Sequence, residues 1–554
     1  MQKCFFLVSL LFSTVVCFGQ KPVAQLPLTY IDTTFNLPSG VTWAAHTNSD
    51  LSNALKSSLP GDIIILDAGA TYSGNFTLPV KSNPNNRWIY IVSSALASLP
   101  APGTRVGVAD AVNMPKIVAT GVTAPLTLPP GANHYRLAGL EIYSASTQGC
   151  NLTAIPPVNC FSYQLVNAAS TPGKPLVDSI TVDRCYIHGS PTQDVQHAIS
   201  ANASNFAVVD SYISDIHQST NDSQTIAAWW TPGPIKIVNN FLSATSEDVL
   251  FGGAGGLTNP WVPSDIEIRN NHFYKPLIWA QVGVTIPPKN QWVVKNNLEL
   301  KSAQRVLVDS NILENVWVSG QTGFSIALTP RTNSSGLLAV VDDITISNNI
   351  LLNVSSGFNA LEYDDSCLPA NGCTDPGEER RVIIYNNLIE LGNTTQPGYT
   401  NGYNWGGLIF KGMQDMVVQH NTVVPPPNLG KCGTTWYFNA TPPWTEPYSA
   451  THNVWILDNV GCREINGLRG WVGQFPYVIT DYMSDPAPLN PRFTGNVFYA
   501  PPGDRVYSLP PYNYTSTVPF TYVNPGQGNY QLLSPNWTAT SDGKIAGVDD
   551  SMLP

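Results

Sequence analysis

The feature that most constrains this chain is an asparagine that returns in one slot of a short aliphatic segment. IKIVNNFLS ends at Ser243, IEIRNNHFY at Tyr274, VLVDSNILENV at Val316, ITISNNILLNV at Val354, VIIYNNLIEL at Leu391 and MVVQHNTVV at Val424. The matching asparagines are Asn240, Asn271, Asn311, Asn349, Asn387 and Asn421, with looser copies at Asn459 and Asn496. The intervals are irregular, but most exceed about twenty residues, the range in which self-similarity means a stacked solenoid. Each copy then reads as one coil whose alternating aliphatics point into a continuous core. Asparagine suits the corner because it tolerates the left-handed backbone of a tight bend and its amide can bond to its counterparts above and below. The repeated asparagines are accordingly read as structural.

Other short strands fall between these segments: QTIAAWW from Gln224, EDVLFGG from Glu247, NLELKS from Asn297, FSIALTPR from Phe324, FNALEYDD from Phe358 and GLIFKG from Gly407. One such strand per coil stacks into a second sheet. Residues 255–264, 278–291, 366–377 and 425–448 become loops edging it, where binding usually resides. Composition agrees, since only 12% of residues are charged while Gly and Pro number 43 and 46, which suits many short strands and turns better than amphipathic helices. The net charge of −11 argues against a nucleic-acid binder, which needs a basic surface.

Residues 1–20 have the basic start, apolar run and small residue of an export signal, and no later stretch is apolar enough to span a bilayer. The expectation is a secreted or periplasmic monomer. Its single domain would cover 21–554, with a cap and first coils over about 21–110 and a C-terminal capping region at 500–554. In an oxidising compartment Cys150 with Cys160, Cys367 with Cys373 and Cys432 with Cys462 are candidate disulfides, leaving Cys185 as a buried thiol.

PGDIIILDAGATYSGNF (60–76), NYQLLSPNW (529–537) and DGKIAGVD (542–549) resemble the opening and closing segments of the pectate-lyase-like right-handed parallel β-helix superfamily. The resemblance implies an all-β, single-stranded solenoid with an N-terminal cap and loop insertions. That fold carries lyases, hydrolases, epimerases and adhesins. NNLELKSAQRVLVDSNILENV (296–316) followed by SIALTPR (325–331) is similar in layout to polysaccharide lyases of the alginate lyase and chondroitinase B type. Carried over, Lys301 matches the catalytic base and Arg331 the arginine beside the scissile bond, at a longer spacing than in that family. The resemblance also implies calcium, although its acidic ligands do not fall in register and Glu299 is the only nearby carboxylate. The Gly-His-Gly pattern of polygalacturonases is missing, although Asp342-Asp343 and Asp364-Asp365 occur.

By alternation Leu298 and Leu300 point inward and Glu299 and Lys301 outward, and the same rule leaves Arg331 and Lys411 outside. A stripe of Lys301, Arg331 and Lys411 on an acidic protein suits a polyanionic sugar chain. Elimination at a uronate removes the proton α to the carboxylate, which needs a base and a positive charge to hold the enolate-like intermediate. The expected contacts to the polysaccharide are Glu247, Asp248, Glu299, Glu362 and Lys411. The acidic set Asp222, Glu247, Asp248, Glu362 and Asp364 also keeps open a hydrolase using two carboxylates, and a glycan-binding β-helix without catalysis is the third reading. Trp229, Trp230, Trp261, Trp279, Trp292, Trp405, Trp436 and Trp444 are candidate sugar platforms. His188, His217, His272 and His420 read as structural.

Overall fold

The structure is a computed structural model and describes residues 20–151, 160–191, 193–219, 221–253, 261–280, 292–331, 339–361, 378–399, 406–411, 413–430, 434–438, 452–461, 469–470, 492–499, 513–534, 537 and 540–554. Among these the chain winds as a right-handed parallel β-helix. Successive coils add strands to three parallel sheets, which have 14, 14 and 12 strands among the described residues. The first sheet runs from Thr42–Ala45 to Phe493–Thr494, the second from Thr71–Ser73 to Tyr514–Ser516, and the third from Phe76–Thr77 to Arg469–Gly470. Successive copies stack in register, as where Ile235 and Ile237 pair with Ile266 and Ile268. Their inward side chains form one core from Ala45 to Phe498.

The open end of the first coil is covered by a helix over Asn48–Ser57, whose buried face is Leu51, Ala54 and Leu55. Thr47 starts it with a reciprocal capping box to Asp50, which satisfies donors that the first helical turn leaves unpaired. At the far end a hairpin of Thr521–Asn524 and Asn529–Ser534 leads into a tail that folds back over the corner. There Val548 N–H donates to Thr422 Oγ1 at 3.0 Å and Asp549 N–H to Asn386 Oδ1 at 2.6 Å.

The asparagine ladder forms at the bend from the first sheet to the second. Asn240 donates both its backbone N–H and its amide to Asn271 Oδ1, at 2.9 and 3.0 Å. Asn271 does the same to Asn311, and the chain of bonds continues through Asn349, Asn387, Asn421, Asn459 and Asn496. It runs on to Asn513, a rung not expected from the repeat. One correction follows. The left-handed residue of each bend is the one before the ladder asparagine: Asn239, Asn270, Ser310, Asn348, Asn386, His420 and Asp458 all have positive φ. The ladder asparagine is buried and needed for its amide alone.

Residues 20–35, expected within the N-terminal cap, instead form an extended strap along the outer face of the first sheet. Gln20 O accepts from Asn453 Nδ2 at 3.4 Å and Lys21 Nζ donates to Gln419 at 2.8 Å, both in late coils. Gln25 N–H then donates to Asp343 at 3.0 Å, Leu28 N–H to Asp265 at 2.9 Å, and Ile31 O accepts from Lys236 at 3.1 Å. The strap ends in the early coils, with Arg136 donating to Thr33 O and Thr34 O and Phe35 lying under Arg136 and Arg184. Asp265 and Asp343 belong to a corner file of alternating charge in which Arg305 bonds Asp265 and Arg381 bonds Asp343, at 2.7 and 2.6 Å. Asp342 pairs with Arg380 and Arg381, so the Asp342-Asp343 pair is structural.

Cys150 and Cys160 are joined as a disulfide, with Cα atoms 4.1 Å apart, and Cys185 is a buried free thiol. Cys367, Cys373, Cys432 and Cys462 lie outside the described residues, as do residues 1–19. No helix among the described residues is long and apolar enough to cross a membrane.

Candidate active site

Leu298–Leu300 is a strand of the third sheet, paired with Val249–Phe251 on one side and Phe324–Leu328 on the other. Leu298 and Leu300 are fully buried in the core, so their neighbours Glu299 and Lys301 are set on the outer face, as alternation requires. Lys301 N–H donates to Phe251 O and Arg331 N–H donates to Lys301 O, both at 2.8 Å. Lys301 and Arg331 are therefore neighbours on successive coils, and both are half-buried. Gly253, at φ +87°, lies against the lysine stem, where a Cβ would stand 2.7 Å from Lys301 Cδ. A side chain there would displace the lysine.

Behind Lys301 is a compact charged group that the sequence does not announce. Glu299 is only 3% exposed and Glu247 is fully enclosed, although both were expected as surface contacts to the sugar. Glu247 Oε2 accepts from Gln224 Nε2 at 2.6 Å, and Glu299 Oε1 accepts from Thr329 Oγ1 at 3.2 Å. The remaining oxygens, Glu247 Oε1 and Glu299 Oε2, have no hydrogen-bond donor. Each faces one ammonium, Lys295 and Lys301 respectively, at 3.6 Å. Lys295 itself bonds Asp222 at 2.5 Å. The two carboxyls lie within hydrogen-bonding reach of each other, and their acidities diverge. Burial first, and the Glu247 carboxylate second, push Glu299 up to about 8. Burial pushes Glu247 up too, but Lys295, Lys301 and the hydrogen bonds from Glu299 and Gln224 outweigh it and hold Glu247 below its ordinary value.

Asp248, also expected at the sugar, is a fully buried structural corner. It accepts from Ala244 N–H at 2.6 Å, Asn297 Nδ2 at 3.0 Å and the fully buried Lys275, whose Nζ stands 3.4 Å away. Burial raises Asp248 to about 6 despite these partners. Lys411 ends the strand Gly406–Lys411, whose backbone pairs Leu361 with Lys411. It lies three coils beyond Lys301, so the expected stripe brings Lys301 and Arg331 together without it. Glu362 and Asp364 lie outside the described residues, as do Trp405 and Trp444. Trp279 and Trp292 are buried in a satellite cluster with Trp317 and Tyr399, where Trp292 stacks on His217 at 3.8 Å. They are packing groups and offer no open sugar platform. The histidines are structural as expected: His188 bonds Glu141, His272 bonds Glu314 and His420 bonds Asp542.

The calcium that the resemblance implies does not fit the carboxyls beside Lys301. Calcium takes six to eight oxygen ligands, whereas Glu247 and Glu299 already face two ammonium groups and an amide N–H. Among the described residues His420, Asp458 and Asp542 alone have metal-like spacing, but Asp458 there accepts from Ser541 and Gln419 and ties the tail to the corner.

No family model and no curated protein sequence matches the chain. Among solved structures, the PL6 family alginate lyase AlyGC matches with a TM-score of 0.53 at 14% identity, covering 93% of this chain and 57% of that one. The chain thus spans less than two thirds of that enzyme's length. A mannuronic acid specific family 6 lyase from human gut microbiota gives 0.39 at 12% identity over 84% of this chain and 92% of the other. The catalytic unit of a GH87 α-1,3-glucanase from Streptomyces thermodiastaticus gives 0.42 at 11% identity over 88% and 69%. The likeness to AlyGC is one of fold, the parallel β-helix described above.

Proposed function

We propose that this protein is an exported polysaccharide lyase that cleaves a uronate-containing glycan by β-elimination, with Lys301 as base and Arg331 holding the substrate carboxylate. The observation that carries this reading is the backbone bond between Lys301 and Arg331, which makes two cationic residues neighbours on successive coils in a chain of net charge −11. In the reaction Arg331 binds the uronate carboxylate and takes up the charge that develops when the α-carbon loses its proton. Lys301 Nζ accepts that proton as a neutral amine. The electron pair forms the new C=C bond, the glycosidic C–O bond breaks, and the ammonium of Lys301 returns a proton to the leaving oxygen.

Against the hydrolase reading stands the closeness of Glu247 and Glu299. A glycosidase needs carboxyls at least about 5 Å apart with the sugar between them, and these two are enclosed within hydrogen-bonding reach. The test is a panel of acidic and neutral polysaccharides scored for two products. Unsaturated, ultraviolet-absorbing ends that vanish in Lys301→Ala support the lyase. Reducing ends without the chromophore mean hydrolysis, and binding without cleavage means a glycan-binding protein.

A further inference from the structure

We propose that Trp229 and Trp230 form a platform on which the glycan chain lies on the early-coil side of Lys301, with Gly252 and Gly253 keeping the path between them clear. The inference rests on the lyase reading for the placing of the reacting sugar at Lys301, although the platform itself can hold a chain that is not cleaved. Position carries it first. Trp229, Gly252 and Lys301 each stand just past the end of their strand, Gln224–Ala228, Val249–Phe251 and Leu298–Leu300, on three successive coils of the third sheet. Their backbones are joined in that order, Gly252 N–H donating to Ala228 O at 2.9 Å and Lys301 N–H to Phe251 O at 2.8 Å. Trp229 is thus two coils from the lysine, in the same place on its coil.

The local structure keeps both indoles out of the core. A regular strand would send Trp229 and Trp230 to opposite sides, but Asn202 Oδ1 accepts from both backbone N–H groups at 3.0 Å and fixes a bend there. Neither indole is part of the core, to which this coil contributes as far as Ala228, and both are half-buried. Their rings meet edge to face with centroids 6.2 Å apart, and Trp229 lies 5.3 Å from the ring of the buried His197, so the pair is braced. Trp279 and Trp292, by contrast, are covered in their satellite cluster. Between platform and lysine the coil carries no side chain. Gly252 and Gly253 have φ of +79° and +87°, and Cβ atoms there would stand 2.4 Å from Ser302 N and 2.7 Å from Lys301 Cδ. The carboxyls of Glu247 and Glu299 are enclosed and present no charge to the path. An indole offers a broad, rigid apolar surface with one polar edge. That suits the C–H face of a sugar ring in a chain whose carboxylate is held farther along at Arg331.

The wild-type protein gives the first arm of the test. Hydroxyl-radical oxidation read by mass spectrometry should mark Trp229 and Trp230, and a bound polyuronate should protect both. The probes are alginate, polygalacturonate and chondroitin. Cleavage that leaves either indole unprotected overturns the platform and leaves the lyase reading standing. Protection of both without unsaturated ends removes the lyase reading and leaves the platform. Absence of binding by all three probes overturns both. Variants give the second arm. Trp229→Ala should raise KM on long chains by about tenfold, the worth of one aromatic stack, with kcat little changed. The shortest chain that is cleaved should show almost none of this loss, because it does not reach two coils away. Trp229→Phe should recover most of the affinity. Equal losses on short and long chains overturn the proposal, since a disturbed Lys301 would act that way. If Trp229→Ala fails to fold, protection in the wild type decides alone.

Discussion

Arg331 donates its backbone N–H to the carbonyl of Lys301 across 2.8 Å. Both residues lie just past the ends of their strands, Leu298–Leu300 and Phe324–Leu328, which pair as far as Leu300 and Leu328, so the bond carries the contact between the two coils beyond the strand ends.

Lys301→Ala should lower kcat by about three orders of magnitude or more, because the base is removed outright. Thermal unfolding should be near wild type, since Lys301 is outside the core. Arg331→Ala should raise KM and lower kcat together, as expected of a group that holds the carboxylate before and during proton removal. Steady-state rates on the cleaved glycan, with circular dichroism as the folding control, check both.

Asn311→Ala should destabilise the protein by about 2–4 kcal/mol. It leaves Asn271 N–H and Nδ2 without the acceptor they share, and Ile268 O without a donor. Asn513→Ala should cost a similar amount, since it leaves Asn496 N–H and Nδ2 without the acceptor they share and removes the donor to Phe493 O. Clearly unequal midpoints in denaturant for the two variants would show that the rungs are not equivalent.

Glu299 makes stability depend on pH, with a definite sign. Its carboxyl titrates near 4.5 when unfolded but is raised to about 8 in the fold, so across that window the folded state holds the extra proton. Stability from this group is full below the lower value and is lost as pH rises toward the upper one, at up to about 1.4 kcal/mol per pH unit. Glu299→Gln should flatten that slope in urea titrations at pH 5 and pH 8.

Non-reduced peptide maps should show Cys150 linked to Cys160. Cys185 should resist alkylation until the protein is denatured, because burial excludes reagent and pushes its thiol up to about 12. Alkylation of Cys185 in the native protein would show that its coil opens.

The fold was legible because each coil repeats an inward aliphatic pattern and a corner amide, as around Asn240, Asn271 and Asn311. The outward setting of Glu299, between the buried Leu298 and Leu300, was legible because alternation fixes which side of a strand a residue takes. The carboxyl pair was not, since Glu247 and Glu299 lie on different coils and outward direction was read as exposure, whereas both are covered. Lys275, flanked by Tyr274 and Pro276, looks like an ordinary surface lysine until Asp248 is found beside it. The strap carries no period at all, and its partners from Asn453 to Arg136 are scattered through the sequence.

That strap gives the molecule an order of assembly. A solenoid can fray from either tip without disturbing the middle, because each layer touches only its neighbours. Here the earliest residues reach the latest layers, since Gln20 and Lys21 meet Asn453 and Gln419 while Phe35 sits beside Tyr90. The strap can therefore dock only after the strands from Tyr90 to Asn453 are stacked. Once seated it ties early layers to late ones, so that parting the layers between them must peel the same fifteen or so residues away.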